Sequence, residues 1–244
     1  MLFRGGYMNN GRLWRSLSPL YTLIIACFLF LAIGGSQAIT VLSENAPISG
    51  RKCVVLDAGH GGEDGGAVSC TGISESKFNL EITLRLNDLM HLLGIDTVMT
   101  RDTDRSIYTQ GDTISARKVS DLKERVKLVN STEDAILVSI HQNHFPDSRY
   151  SGAQVFYKAD TESAELAARL QTSIVQTINL GSNRKSKKAD GVYLLEKAET
   201  PAILVECGFL SHYQEEAKLR DPRYQKQVAA VIAATLSAYL HSTQ

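Results

Sequence analysis

Three short apolar runs each end in a side chain that could do chemistry. Val54-Val55-Leu56-Asp57-Ala58-Gly59-His60-Gly61-Gly62 closes on a histidine flanked by glycines. Ala135-Ile136-Leu137-Val138-Ser139-Ile140 runs into His141, and Pro201-Ala202-Ile203-Leu204-Val205 runs into Glu206. Each run is predicted to be a buried strand. The glycines around His60 let the backbone turn sharply and approach a ligand closely. Open α/β sheets build their sites at the carboxyl ends of strands. Two imidazoles delivered there to one crevice are the beginning of a metal site. A carboxylate ending so apolar a strand is costly to bury unpaired. Glu206 is therefore expected in a cleft or close to a cation, and a metal would supply that cation.

A catalytic zinc site takes three protein ligands and keeps one position open for water. His60 and His141 would supply two. Glu63, Asp64 and Glu75 are the candidates for a third ligand. Glu63 and Asp64 share the tight glycine loop with His60 and would have to fold back on it. Glu75 follows Thr71-Gly72 and stands just before a predicted helix, where a carboxylate is electrostatically favoured. Each group also has a plainer reading. His60 could be held by its loop alone, and Glu75 could be a simple helix-start acid. His141 could sit at the core edge, with His144 competing as ligand. Glu206 could pair with Arg101, which also ends a strand. The joint occurrence of these groups at strand ends favours the metal reading.

The elements that would position them alternate along the chain. Strands are predicted at 53–57, 96–100, 135–140, 154–157, 192–195 and 202–206. Helices are predicted at 77–93, with Ile82, Leu86, Leu89 and Leu93 on one face, and at 121–130, with Leu122, Val126 and Val129. A third helix starts after Thr161 as its cap, with Ala164, Leu166, Ala167, Leu170, Ile174 and Ile178 inside. A fourth runs from Pro222 to Leu240. Residues 103–120 read as a surface excursion and 181–190 as a basic loop. Such alternation predicts a three-layer α/β domain.

The 244 residues carry 26 basic and 26 acidic side chains, so charge gives no pointer to nucleic acid. A hydrophobic content of 43% suits one domain with a full core. Residues 1–38 differ. Arg4, Arg12 and Arg15 lead without an acid, Leu20 to Ile33 is apolar, and Ser36 and Ala38 offer a small-x-small site. This is the layout of an export leader, and both a cleaved signal peptide and an uncleaved membrane anchor fit it. A linker is placed at 39–50 and the catalytic domain at 51–244. Cys27 lies in the leader. Cys53, Cys70 and Cys207 form no CxxC pair, so a zinc knuckle and a disulfide framework are not expected. Cys53 and Cys207 read as small buried hydrophobes.

The segments Leu56–Ala67, Met99–Asp104, Val138–Asn143 and Ala202–Ser211 together resemble the zinc-dependent N-acetylmuramoyl-L-alanine amidases. The resemblance spans about residues 52–241. It implies a mixed, mostly parallel sheet of six strands with helices on both faces. It also implies one zinc ion held by His60, Glu75 and His141, with Glu206 as the catalytic glutamate. Zinc-activated water would hydrolyse the amide between the lactyl group of N-acetylmuramic acid and L-alanine in peptidoglycan. Ala58 stands where the family often has proline, which would loosen the turn. His212 stands where asparagine is common, which would alter the cleft rim. The lack of cell-wall-binding repeats resembles the minimal spore-cortex amidases, which prepare muramic-δ-lactam. A vegetative autolysin, a zinc carboxypeptidase and a non-catalytic zinc-binding wall module are the alternatives. An accessory protein for localisation or metal loading would be a partner of the exported enzyme, and the membrane would be met only through the N-terminal segment.

Overall fold

A computed structural model describes residues 52–147 and 149–242. The leader and linker assigned to residues 1–50 lie outside the described residues. The elements run β1 (Cys53–Ala58), α1 (Glu75–Leu92), β2 (Thr97–Met99), α2 (Ile114–Asn130), β3 (Ala135–Asn143), β4 (Gln154–Tyr157), α3 (Thr161–Thr177), β5 (Lys187–Lys188), α4 (Tyr193–Lys197), β6 (Ala202–Phe209), α5 (Tyr213–Leu219) and α6 (Pro222–Ser242). None of these helices is long and apolar enough to cross a membrane.

The six strands form one sheet in the order β2-β1-β3-β6-β4-β5. β2, β1, β3 and β6 are parallel, and β4 runs antiparallel to β6 with β5 alongside it. Alternation along the strands splits the core in two. Leu56, Val138, Val205 and Val155 pack under α1, α3 and α6. Val55, Leu137, Leu204 and Phe156 pack on the opposite face, against Val129 of α2 and Leu194 and Leu195 of α4. The predicted α/β fold, with helices on both faces, is the one observed.

Local departures from the predicted elements have physical causes. Val192–Leu195 is expected as a strand, but Tyr193–Lys197 is helical. A short apolar run does not distinguish the two, and here the cap decides: Glu196 accepts from Gly191 N and donates its own amide to Val192 O. α2 begins at Ile114 rather than at 121, because Thr113 caps it by accepting from Ala116 N. Its first turns carry no apolar stripe, with Ile114 and Val119 exposed. Asp160, not Thr161, caps α3. Leu93 is a half-exposed C-cap residue, and Phe78 and Met90 take its expected place in the core. Lys187–Lys188 forms an edge strand within the expected loop. α5, only seven residues long, shows no periodicity to read.

One charged cluster lies behind the strand ends. Asp57 is buried and accepts from Thr100 Oγ1, Ser139 Oγ and Arg125 Nη1 at 2.8, 2.6 and 2.6 Å. Burial disfavours its charge, yet Arg125, Ser139 and Thr100 prevail and hold its pKa down to about 2. This contribution to stability is present above the ordinary carboxylate pKa of 3.8 and is lost as pH falls through about 2. Arg125→Met is expected to destabilise the fold by about 3–5 kcal/mol, because it strands the Asp57 charge. Denaturant unfolding checks this, and the double variant with Asp57→Asn should recover part of the loss.

Candidate metal centre and active site

Glu75, His60 and His141 meet at the carboxyl ends of β1 and β3. One ligand atom from each lies within 4.8 Å of the others. β1 ends at Ala58, and Gly59 continues the ladder by donating to Ile140 O. His60 then turns into the left-handed region at φ 62°, a conformation costing a residue with a Cβ roughly 1–2 kcal/mol. Two buried guanidiniums hold it there. Arg125 donates to the carbonyls of Ala58 and His60, and Arg101 to those of Ala58 and Gly59. Arg101 is thus committed to backbone carbonyls, and no pairing with Glu206 is observed.

His141 sits on the same strand face as Ser139, two residues before it, and its position pairs with Glu206 across β3 and β6. Glu75 opens α1 and reaches over the sheet end, almost fully buried. Its Oε1 lies 2.9 Å from His141 Nδ1 and accepts from Gln142 N and Asn79 Nδ2. Its Oε2 lies 3.3 Å from His60 Nε2 and accepts from Ala67 N. Burial opposes the Glu75 charge, but the two imidazoles hold its carboxyl far below the usual range. The same carboxylate, with Asp64, raises His60 to about 9 against the effect of burial. Two imidazoles and a buried carboxylate converging this way are a nitrogen-and-oxygen donor set suited to zinc.

The sequence left three acids open as the third member, and only Glu75 joins the histidines. Glu63 faces outward to Arg117 at 2.6 Å. Asp64 holds His60 from behind: its Oδ2 is 2.8 Å from Nδ1, which turns Nε2 toward Glu75. A carboxylate on the far nitrogen fixes the tautomer and orientation of a ligating imidazole. Asn79 and Gln142, linked by a hydrogen bond, and Lys118, 2.7 Å from Asp64, also build the site. Sequence reasoning missed all three, for lack of any motif. His144 is not part of the group.

Glu206 is different. It is part-buried, and its Oε2 is shut from solvent with no hydrogen-bond partner. Burial, with the Glu75 charge adding and the histidines opposing, raises its pKa to about 7. It is therefore a carboxyl that exchanges a proton near neutrality. Glycines clear the room around these groups. A Cβ on Gly59 would run into the His141 ring, and one on Gly66 would lie 2.6 Å from Glu75 Oε2 and 2.7 Å from His60 Cδ2. The two departures from the family pattern prove mild. Ala58 lies in regular β1, with its carbonyl gripped by both arginines. His212 caps α5 by accepting from Glu215 N, a task asparagine also performs. Cys207 is buried, Cys53 is part-buried and Cys70 is exposed, all as free thiols.

Comparison with known proteins agrees with this geometry. The family model described as N-acetylmuramoyl-L-alanine amidase matches residues 54–238. The germination-specific N-acetylmuramoyl-L-alanine amidase of Bacillus subtilis is 37% identical over 195 residues, 79% of this chain and 81% of that protein. The CwlD amidase from Clostridioides difficile, solved in complex with the GerS lipoprotein, is 37% identical with a TM-score of 0.75. That match covers 78% of this chain and 99% of CwlD. An N-acetylmuramoyl-L-alanine amidase from Clostridium difficile 630 superposes with a TM-score of 0.69 at 32% identity, covering 80% of this chain and all of that one. With sheet, strand-end groups and family match in accord, the chain belongs to the N-acetylmuramoyl-L-alanine amidase family.

Proposed function

We propose that this chain is a zinc-dependent N-acetylmuramoyl-L-alanine amidase whose ion is held by His60, Glu75 and His141 and whose general base is Glu206. The observation that carries the reading is the Glu206 carboxyl, with Oε2 unpartnered and its pKa near 7, set beside the three donor groups. Bound zinc supplies a Lewis acid for the amide carbonyl and acidifies water toward about pH 7. The chain's own residues do the rest. Glu206 takes the proton of the attacking water on its carboxylate. It passes that proton to the L-alanine nitrogen as the carbon–nitrogen bond to the lactyl group breaks. Asp64 keeps His60 Nε2 aimed at the ion, and Asn79 and Gln142 fix the Glu75 carboxylate.

The test is hydrolysis of purified peptidoglycan by the zinc-loaded protein. New L-alanine amino termini on intact stem peptides are expected. Release of free terminal amino acids instead would show a carboxypeptidase, and no cleavage would leave a wall-binding module.

We further infer a role in spore cortex, supported by the likeness to the germination-specific amidase. The leader at residues 1–38 exports the domain across the cytoplasmic membrane, where an accessory protein assists it. The lipoprotein bound to the C. difficile relative supports such a partner. Spores of a deletion strain should lack muramic-δ-lactam; unchanged content would mark a vegetative autolysin.

Gly59→Ala is expected to push the His141 ring out of place. Zinc affinity should fall by about 10- to 100-fold, the range seen when ligand support is lost, as read by competition with a chelating dye.

A further inference from the structure

A second group of side chains stands at the same end of the sheet and takes no part in the metal and proton chemistry. β6 passes Glu206 and ends three residues later at Phe209, about 10 Å along at the rise of a strand. The Phe209 ring is buried, and Tyr150 stacks on it with centroids 6.4 Å apart and planes 27° apart. Phe145 meets Tyr150 edge-on at 4.8 Å. Both outer rings belong to the loop between β3 and β4, and both are about half exposed, Phe145 at 46% and Tyr150 at 49%. They face water, yet they are held in place. Ser211 Oγ accepts from Phe145 N. Glu215 of α5 accepts from Gly152 N and from Phe209 N, one with each oxygen. Arg184 lies over the Phe209 ring at 5.3 Å and donates to Ser151 O and Gln154 Oε1. Gln154 is the β4 residue paired with Glu206, so this group adjoins the carboxyl end of the sheet where the donor set lies.

We propose that Tyr150 and Phe145 form a stacking platform for a sugar neighbouring the N-acetylmuramoyl unit under attack, so that the enzyme prefers a glycan strand to an isolated sugar. This assignment rests on the amidase reading. A pyranose ring presents C–H bonds on its faces and hydroxyls around its rim. The electron-rich face of an aromatic ring attracts such C–H groups, and a guanidinium can serve the rim. Among the described residues, Arg184 gives three of its five N–H groups to Ser151 and Gln154, which leaves two for hydroxyl or N-acetyl oxygens. The position argues for glycan rather than for a protein partner. A protein seated on these rings would cover the strand end beside Glu206, whereas a glycan strand bound at Glu206 has to run past it. Because the rings are ordered beforehand, little side-chain entropy is lost when a sugar arrives.

The test uses two soluble substrates with the same stem peptide, one on a single N-acetylmuramic acid and one on a short glycan strand. Zinc-loaded wild type should show a KM about tenfold lower for the strand, with equal kcat, as befits one stacked ring pair. Tyr150→Ala should raise KM for the strand to the level of the single sugar, leave the single sugar unchanged, and retain full zinc content. Tyr150→Phe, which keeps the ring, should keep the preference. Phe145→Ala should lose about threefold of it. Equal wild-type KM values for the two substrates would overturn the platform while leaving the amidase reading intact. A Tyr150→Ala variant that keeps the full preference would also overturn it, leaving the rings as a surface for a protein partner. So would an equal fall in kcat on both substrates, which would show that Tyr150 acts only by packing on Phe209 beside the base. Failure of the zinc-loaded wild type to cleave either substrate would overturn the amidase reading and the platform with it.

Discussion

Glu206→Gln is expected to bind zinc as the wild type does and to hydrolyse peptidoglycan about 100- to 10,000-fold more slowly, the usual consequence of losing a general base. Glutamine keeps the shape and a polar end but cannot take the water proton. Elemental analysis together with amine-release assays checks both halves, and near-native turnover would remove Glu206 from the mechanism. A second readout follows from its proton affinity. The folded pKa of about 7 lies above the ordinary 4.5, so the folded state binds the proton more tightly than the unfolded chain does. Wild-type stability therefore declines as pH rises from about 4.5 to about 7, and the loss is complete above that. In zinc-free protein, Glu206→Gln should be the more stable form at pH 8, by on the order of 1–3 kcal/mol. The advantage should shrink toward pH 5.

His60→Ala is expected to abolish stoichiometric zinc binding and, with it, hydrolysis. The wild-type melting temperature should climb as zinc is added, because the ion binds only the folded site. The variant should show no such climb. Alanine at φ 62° keeps the backbone strain of the native turn, whereas glycine adopts that conformation freely. His60→Gly therefore serves as the well-folded control and should be equally metal-free. Undiminished zinc content in either variant would exclude His60 as a ligand.

Much of this site was legible because its groups end strands. His141 and Glu206 follow unbroken apolar runs, and parallel pairing places them in register. Gly59-His60-Gly61-Gly62 announces a turn by composition alone. The choice of Glu75 over Glu63 and Asp64 was not legible from spacing, since all three lie within fifteen residues of His60. What separates them is three-dimensional. Arg117 draws Glu63 outward, Asp64 lies behind the ring, and α1 carries Glu75 over the sheet end. The support from Arg101, Arg125 and Asn79 was equally hidden. A polar residue on a helix or after a strand carries no mark of which carbonyl it will reach. The mistaken strand at 192–195 shows the limit of pattern on short runs, where one capping glutamate outweighs β-rich composition.

The sheet order has a consequence for how the chain must mature. β6 lies between β3 and β4 although it is the last strand made. Until residues near Phe209 are available, β3 and β4 have no common partner, and the facing edges of both stay open. Open edges are templates for pairing with other chains, and closing such distant segments is slow. β6 also brings Glu206, whereas His60, Glu75 and His141 precede it in the chain. On the proposed mechanism, the strand that seals the sheet is the strand that carries the base, so an incompletely folded chain would gather the proposed metal ligands without the proposed base. Strand order thereby acts as a timer: catalytic competence arrives only with the final closure of the fold.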